Sequence, residues 1–368
     1  MLPNFKALRP ADFFLAGYLF VQKLLKLYKI RTLLWGICTK LQTKREMPSN
    51  PFNTVPLEDA LRLTNPGAFG TMIKPIGSLC NLKCNYCYYI GRDLGGNSCN
   101  KLITTEILKR YISDYISSQK VDTVTFCWHG GEPTLAGIDF FRKALTFQKE
   151  CADDQGKRVI NTLQTNGSNI TPEWCELFAQ NDFLIGLSID GPEDVHNGHR
   201  KNDNLRNSFK EAVDASILFH RYGVEFNTLS TVNNLSEGRG KEIYIFLKEI
   251  IGSRFMQFLP VAEKVTKGGK IVPFDHPEGA ISSWSVSPEG YGNFLIDIFK
   301  TWVKRDVGNI FVQIFDSTLA QLCGYPAGVC TLGDYCTDSA TIESDGEVYP
   351  CDHFAFPEYS LGNIAERP

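Results

Sequence analysis

Apolar and polar stretches alternate along the chain between about residue 70 and residue 260. Short apolar runs with the length and composition of buried strands cover residues 72–76, 121–128, 159–164, 183–189, 224–232 and 255–260. Segments with apolar residues at helical spacing lie between them, at 104–118, 138–151, 171–180, 207–222 and 241–251. Strands that alternate with helices predict a parallel sheet with right-handed crossovers, and therefore an α/β fold.

Two α/β architectures fit this alternation: a partial (β/α)6 barrel and an open, doubly wound sheet. Both place their functional sites at the carboxyl ends of the strands. Polar or glycine-rich motifs follow four successive strands, at residues 80–87, 129–133, 164–167 and 188–192. Their repeated placement predicts one shared site at that edge of the sheet.

Three cysteines, Cys80, Cys84 and Cys87, follow the first strand at a C-x3-C-x2-C spacing. Three thiolates on one short loop suit a cubane [4Fe–4S] cluster, whose fourth iron then has no protein ligand. Zinc sites usually close with four ligands and often use paired C-x2-C units, so they fit this triplet poorly. The loop therefore predicts a cluster with one open coordination position for a small molecule.

The composition of the chain indicates the class of partner and the cellular compartment of this site, and it does not change the fold prediction. The chain has 368 residues and 43% hydrophobic content, enough for a large core, and its net charge of −3 gives no indication of a nucleic-acid partner. Its twelve cysteines are spread through a long chain, unlike the disulfide framework of a small secreted domain. Because thiolate clusters need a reducing compartment, we expect a cytoplasmic protein.

The cysteine loop has an aromatic residue between its last two cysteines and the pair Tyr88–Tyr89 directly after them. In these features it resembles the cluster loop of the radical S-adenosylmethionine (SAM) enzymes. Together with the other motifs over about residues 70–355, it is similar to the anaerobic sulfatase-maturating enzymes, in the branch that carries a cysteine-rich SPASM domain. This resemblance favours the partial (β/α)6 barrel and implies SAM as a cofactor beside the cluster.

The resemblance assigns the strand-end motifs to SAM. The residues it implies as SAM ligands are Gly130, Gly131, Glu132, Gln164, Asn166, Ser188, Arg200 and Leu259. Glu132 belongs to a GGEP segment for the α-ammonium group, Ser188 would reach the ribose, and Leu259 would contact adenine. Arg200 would fork the carboxylate, with Arg206 as a competitor. Ordinary turns, a surface ion pair or core packing are the alternative roles for these residues.

A second cysteine group, Cys330, Cys336 and Cys351, lies near the end of the sequence. A hairpin signal at Asp345–Gly346, with a predicted type I′ turn, would return the third cysteine towards the first two. The resemblance makes this group the start of a SPASM domain with an auxiliary [4Fe–4S] cluster; a zinc knuckle or loose thiols are the alternatives. The family's further cysteines do not follow, so we expect either a fragment or a protein with fewer clusters.

The resemblance implies a specific oxidation. Reduced by the first cluster, SAM would give methionine and a 5′-deoxyadenosyl radical, which takes a β-hydrogen from a cysteine or serine in an unfolded C/S-x-P-S-R segment of a sulfatase. Asp352 would accept the side-chain proton, Tyr89 would lie beside the substrate, and an auxiliary cluster would accept the second electron, leaving formylglycine. A flavodoxin or ferredoxin is the expected electron donor.

Two rival hypotheses remain at this point. One is a radical SAM maturase that forms thioether or carbon–carbon links in a ribosomal peptide. The other is a non-catalytic iron–sulfur or zinc-binding protein. Formation of 5′-deoxyadenosine separates the second from both enzymes, and the fate of a sulfatase peptide separates the first.

The first 50 residues differ in character from the rest. Residues 13–35 are rich in Phe, Leu and Tyr, but Lys and Arg interrupt them too often for a membrane-spanning helix or a signal peptide. A basic amphipathic helix on a membrane and an extension that packs on the protein are both open. We predict an N-terminal extension and linker (1–66), a radical SAM core (67–305), and a connecting helix with a truncated SPASM-like domain (306–368).

Overall fold

The computed structural model describes residues 68–89, 101–201, 207–268, 271–272, 277–326, 328–333 and 338–366. The predictions for the N-terminal extension, Arg206 and Cys336 concern residues outside these ranges. Within them, every helix is too short or too polar to cross a membrane.

A ten-stranded sheet and a separate three-stranded sheet organise the chain. The strands of the large sheet are β1 (Gly70–Ile73), β2 (Thr123–Trp128), β3 (Arg158–Thr165), β4 (Leu184–Ser188), β5 (Glu225–Val232), β6 (Phe255–Pro260), β10 (Phe311–Val312), β11 (Ser339–Ile342), β12 (Glu347–Tyr349) and β13 (Gly362–Asn363). The small sheet contains β7 (Lys264–Val265), β8 (Ile271–Val272) and β9 (Ala280–Ile281).

Helices separate the strands, as the hydrophobic pattern predicts. They are α1 (Thr105–Ser118), α2 (Ile138–Gln155), α3 (Pro172–Gln180), α4 (Glu193–His199), α5 (Phe209–Tyr222), α6 (Gly240–Glu249), α7 (Pro288–Arg305) and α8 (Gln313–Leu322). The side chains of Thr104 and Thr171 accept backbone N–H groups at the starts of α1 and α3. Gly156 and Gly223 end α2 and α5 in the left-handed conformation that favours glycine.

Strands β1 to β6 lie side by side in chain order, and every neighbouring pair is parallel. A doubly wound sheet would reverse its strand order part-way, so the partial-barrel prediction is confirmed. The sheet extends further at both edges. Strand β10 pairs with β6, and β11 pairs in parallel with β1.

Strands β11 and β12 form the predicted hairpin, but its turn is not type I′. Type I′ needs positive φ at both central residues, and here only Gly346 has it, with φ of 89°. Glu343 N–H donates to Glu347 O and Gly346 N–H donates to Glu343 O, so three residues form the loop. An αL glycine at the end of such a loop is the common three-residue alternative, which the sequence pattern did not distinguish.

The two faces of the parallel sheet have different environments. Residues such as Ile73, Phe126 and Ile185 are fully buried in the main core under the helices. The opposite face is more polar and includes Gln164 and Ser188 at the ends of β3 and β4. A partial barrel thus packs its core on the outside of the sheet and leaves its interior face for a ligand.

Phe141 on α2 provides a test of this core. Its ring packs against Trp128 and Trp174 at centroid distances of 5.3 and 5.4 Å, and the residue is fully buried. We expect Phe141→Ala to lower the free energy of unfolding by about 3–5 kcal/mol, because it leaves a cavity. Ile217→Ala on α5, where the side chain is 50% exposed, should change it by about 0.5 kcal/mol or less. Equal losses in denaturant titrations of the two variants would contradict the assignment.

Candidate active site

The three loop cysteines share one small apolar pocket after β1. Cys84 is buried with Tyr86 and Val261, and the partly exposed Cys80 and Cys87 pack against this cluster. Burial raises the pKa of the Cys80 thiol to about 11 and that of the Cys84 thiol to about 12. Buried thiols stay protonated until a metal centre replaces their protons. Among the described residues, no three His, Cys, Asp or Glu side chains are arranged to hold a single metal ion, whereas a cubane cluster takes one thiolate at each of its separate corners.

Hydrogen bonds tie the cysteine loop to the neighbouring strand ends. Asn81 Nδ2 donates to Ser168 Oγ (2.6 Å), and Asn166 Nδ2 donates to Asn81 Oδ1 (2.9 Å). The backbone N–H of Asn85 donates to His199 O at 3.1 Å. These contacts fix the loop after β1 against the segments that follow β3 and β4. Asn166, a predicted SAM ligand, therefore lies beside the loop, with Nδ2 at 3.7 Å from Cys80 Sγ.

Asp190, at the end of β4, is a buried anchor beside this loop. Arg200 donates to both of its oxygens at 3.1 Å, Thr231 N–H donates at 2.9 Å, and Tyr86 donates its hydroxyl. Burial alone would raise the pKa of Asp190, but the charge of Arg200 holds it below its ordinary value. Arg200 is thus engaged by Asp190, and among the described residues its Nη1 group alone makes no hydrogen bond.

Gly130 and Gly131 let the end of β2 approach the backbone of residues 77–79. A Cβ on Gly131 would lie 2.0 Å from Leu79 O, and one on Gly130, whose φ is +109°, would lie 2.5 Å from Gly77 O. Gly131 N–H donates to Gly77 O and Glu132 N–H donates to Leu79 O, both at 2.9 Å. The absence of side chains here is therefore needed for the cysteine loop to leave β1 in its present direction.

The Glu132 carboxylate joins the ends of β2 and β3. Its Oε1 accepts from Thr134 Oγ1 (2.7 Å) and Thr165 Oγ1 (2.8 Å), and its Oε2 accepts from Asn166 N–H (2.7 Å). Burial raises the pKa of Glu132, and these donors oppose the shift. Both oxygens are already engaged within the chain, so a contact with the SAM ammonium group would have to share them.

The remaining predicted SAM residues line the interior face of the barrel or its rim. Gln164 Nε2 donates to Ser188 Oγ at 2.8 Å. Gly186 lies between them, and a Cβ there would be 2.0 Å from Gln164 Oε1. Leu259, near the end of β6, is 42% exposed, which is consistent with an apolar surface for a ligand. The structure brings the Gln164 and Ser188 side chains into contact.

Asp352 lies at the centre of a second buried polar group. Its Oδ2 accepts from the hydroxyls of Tyr88 and Tyr89, the latter at 3.0 Å, and its Oδ1 lies 2.6 Å from Lys74 Nζ. Lys74 Nζ also lies 2.6 Å from Glu343 Oε1. The tyrosines directly follow Cys87, and Asp352 directly follows Cys351. The segments carrying the two cysteine groups therefore meet at this carboxylate.

The pKa values of the two carboxylates in this group are shifted in opposite directions. Burial alone would raise the pKa of Asp352, but the charge of Lys74, with hydrogen bonds from Lys74 and Tyr88, holds it well below its usual range. For Glu343 burial dominates, and its pKa is raised despite Lys74. Asp352 is thus ionised at neutral pH.

His129, the residue before the glycine pair, is held in one tautomer. Its Nδ1 accepts the backbone N–H of Gly130 at 2.8 Å and lies 3.3 Å from Tyr89 Oη. Burial lowers the pKa of His129, so the ring is neutral and carries its proton on Nε2. That N–H makes no hydrogen bond to the described residues.

The models of two known protein families match the parts of the chain that contain the two cysteine groups. The family model of the radical SAM superfamily matches residues 75–244, and that of the SPASM iron–sulfur cluster-binding domain matches 330–368. A serine-type anaerobic sulfatase-maturating enzyme of Bacteroides thetaiotaomicron is 43% identical over 298 residues, covering 80% of this chain and 71% of that protein. The chain belongs to the anaerobic sulfatase-maturating enzymes.

Other members of the sulfatase-maturating family support the same fold. A cysteine-type enzyme of Clostridium novyi is 35% identical over 303 residues, with 80% of this chain and 76% of that protein covered. A solved structure described as native anSMEcpe with bound AdoMet and Cp18Cys peptide is 32% identical and superposes with a TM-score of 0.70. It covers 81% of this chain and 78% of that one. The matches confirm the predicted cofactors: a SAM-binding [4Fe–4S] cluster, SAM, and auxiliary iron–sulfur ligation in the SPASM domain.

Within this sulfatase-maturating enzyme, the auxiliary ligands are only partly described. Cys330 is exposed in a short 3-10 turn, and Cys351 is partly buried after β12. Cys336 lies outside the described residues, so the convergence of all three thiols stays a prediction.

Sequence reasoning missed several members of the polar groups around the site. Asp190 begins an Asp-Gly-Pro segment that is typical of a plain turn, and His129 directly precedes the glycine pair, so neither stands out in the sequence as a site residue. Lys74 and Glu343 were not singled out. The available signal for Lys74 was a cation at the end of an apolar strand, directly before the cysteine loop.

Loss of one loop thiol tests the first cluster. We expect Cys84→Ala to lower the iron content by about four atoms per chain after anaerobic reconstitution. The cubane cluster loses one of its three thiolate ligands in this variant and is not retained. Cys175→Ala, which removes a fully buried thiol from α3, should keep its iron. Iron and sulfide assays provide the measurement, and full iron retention in the Cys84 variant would exclude this loop as the ligand set.

The close approach at Gly131 gives a second test. Gly131→Ala should lower both cluster loading and thermal stability, because its methyl group would overlap Leu79 O. Gly292→Ala on α7 has no atom within 4 Å of the added methyl group and should stabilise the protein by about 1 kcal/mol. Similar behaviour of the two variants in melting and iron assays would show that the glycine is not needed for the approach.

Proposed function

We propose that this enzyme oxidises the β-carbon of a cysteine or serine in an unfolded C/S-x-P-S-R segment of a sulfatase, giving formylglycine. The observation that carries the proposal is the contact of Asp352 with Tyr88 and Tyr89, directly after the cysteine loop. An ionised carboxylate beside these tyrosines supports the proposal, because it would accept a proton next to the loop that is proposed to hold the first cluster. The peptide bound in the related solved structure supports a polypeptide substrate.

The reaction balances with one proton acceptor from the chain. Serine loses its β-hydrogen and its hydroxyl proton, and the carbonyl forms directly. Cysteine loses a β-hydrogen and its thiol proton, and water then replaces sulfur, with release of hydrogen sulfide. When bound, SAM and the iron–sulfur clusters supply the one-electron chemistry that removes the hydrogen atom and the remaining electron.

Asp352 accepts the side-chain proton in this proposal. Its low pKa keeps it ionised before the reaction, and loss of a β-hydrogen makes the adjacent O–H or S–H more acidic, so a weak base suffices. Tyr89 and Tyr88 donate to Oδ2 and orient the carboxylate. His129 contacts Tyr89 through Nδ1, and its Nε2–H would be a donor for the substrate.

The SAM-binding roles remain part of the proposal. Backbone groups of Gly130 and Gly131 would meet the amino-acid moiety, and Glu132 would support them by fixing the strand ends. The other residues proposed to line the SAM pocket are Gln164, Asn166, Ser188 and Leu259. Arg200 would use its Nη1 group for the carboxylate, since its other donors hold Asp190. Cys80, Cys84 and Cys87 would hold the first cluster, and Cys330, Cys336 and Cys351 an auxiliary one.

The cellular setting follows from the same chemistry. We propose a cytoplasmic enzyme, because the thiolate ligands need a reducing compartment, with a flavodoxin or ferredoxin as electron donor. The division into residues 1–66, 67–305 and 306–368 is kept as a proposal. A contact of residues 13–35 with a membrane is also kept as a proposal.

Peptide oxidation by the reconstituted enzyme tests the proposal. We expect peptides with C-x-P-S-R or S-x-P-S-R to lose two hydrogens, with sulfur exchanged for oxygen in the cysteine case, as read by mass spectrometry. Asp352→Asn should lower kcat about 10²–10⁴-fold, because it removes the general base. Asp316→Asn on α8 is the control and should retain activity.

Two results would contradict the proposal. If the native chain forms 5′-deoxyadenosine but leaves both peptides unchanged, another peptide maturation reaction takes its place. If no 5′-deoxyadenosine forms with SAM and dithionite, the chain has no radical SAM activity.

A further inference from the structure

Lys74 and Glu343 form an ion pair that is completely removed from solvent. Their charged atoms lie 2.6 Å apart, and both side chains have zero exposure. Lys74 follows β1 and Glu343 follows β11, so the pair joins the barrel to the SPASM hairpin. Burying two charges has a large desolvation penalty, and such pairs are often no more stable than apolar residues of similar size. A purely stabilising role therefore explains this pair poorly.

The Lys74–Glu343 pair contacts Asp352 through the Lys74 ammonium group. Lys74 Nζ lies 2.6 Å from Glu343 Oε1 and 2.6 Å from Asp352 Oδ1. The same ammonium group sits 4.6 Å from the centre of the Tyr89 ring, which adds a favourable cation–π contact. One cation thus contacts both carboxylates and one of the tyrosines that donate to Asp352.

Backbone pairing fixes the starting points of both side chains. Ile73 lies opposite Ile342 in the parallel ladder, and Lys74 N–H donates to Ile342 O at 2.9 Å. Lys74 and Glu343 are the next residues along these adjacent strands, and their side chains meet on one face of the sheet. Their position follows from strand register, so neither side chain depends on a loop for its placement.

We propose that Lys74 and Glu343 are positioning residues for Asp352. Glu343 fixes the Lys74 ammonium group, which holds Asp352 Oδ1 and leaves Oδ2 towards Tyr88 and Tyr89, where the substrate proton is received. The inference rests on the proposed function, because it needs Asp352 to act on the substrate. It assigns the pair no contact with substrate or cofactor.

The ratio of the two reaction products, formylglycine and 5′-deoxyadenosine, tests this role. Cleavage of SAM does not need Asp352, whereas peptide oxidation does, so we compare formylglycine formed with 5′-deoxyadenosine formed in the reconstituted full chain. Lys74→Met keeps the length of the side chain and removes the charge. We expect the ratio of formylglycine to 5′-deoxyadenosine to fall by about 10- to 100-fold, as for other misplaced catalytic groups.

A more conservative variant controls for the case in which Lys74→Met does not fold. Glu343→Gln keeps the side-chain volume and an oxygen that accepts from Lys74, so its ratio should fall less than that of Lys74→Met. The double variant should be no worse than Lys74→Met alone, because both changes act through the same ammonium group. A crystal structure of Lys74→Met should show the Asp352 carboxylate moved from its native position, because no ammonium group then holds Oδ1.

A second ion pair of the barrel supplies the matched control. Lys248 Nζ lies 2.7 Å from Asp306 Oδ1, where Tyr244 also donates its hydroxyl. Lys248→Met makes the same substitution away from Asp352. It should lower stability and leave the product ratio unchanged.

The outcomes separate the inference from the proposed function. A native enzyme that oxidises the peptide, with an unchanged product ratio in soluble Lys74→Met and Glu343→Gln, overturns the positioning role alone. Equal loss of both products in these variants, as in a partly unfolded protein, also overturns it. A native enzyme that never oxidises the peptide overturns the proposed function instead.

Discussion

The parallel pairing of β1 with β11 is the constraint on which the whole site depends. Four residues of each strand are in register, from Gly70 opposite Ser339 to Ile73 opposite Ile342. The cysteine loop leaves the first of these strands, and Asp352 follows the hairpin that begins with the second. Backbone hydrogen bonds between the two strands therefore constrain the distance between the cluster ligands and the carboxylate.

Buried carboxylates connect several of the other chain segments around the site. Glu132 joins the ends of β2 and β3, and Asp190 joins the cysteine loop to β5 through Tyr86 and Thr231. A carboxylate can accept several hydrogen bonds at once, so one buried group fixes several chain segments. At this edge of the barrel, Glu132 and Asp190 act as scaffold, and Asp352 differs because the proposed reaction uses its charge.

Much of this arrangement could be predicted from sequence, and the failures share a cause. The strands, the helices and the partial barrel follow from periodicity, since apolar burial acts locally. The thiol loop follows from spacing within eight residues. Pairings across the chain do not: Lys74 and Glu343 are 269 positions apart, and Arg200 meets Asp190 only after α4 turns back. The hairpin was predicted correctly, but its turn type depended on backbone angles at Asp345 that composition does not encode.

The raised pKa values of Cys80 and Cys84 have a consequence for the newly made polypeptide. Thiolates, not thiols, react with oxidants and with other disulfides. A loop that keeps Cys80 and Cys84 protonated is slow to form unwanted cross-links through these two thiols before iron and sulfide are bound. Each of these thiols must then release a proton as metal arrives, so the empty chain binds its metal centre more tightly as the surroundings become more alkaline.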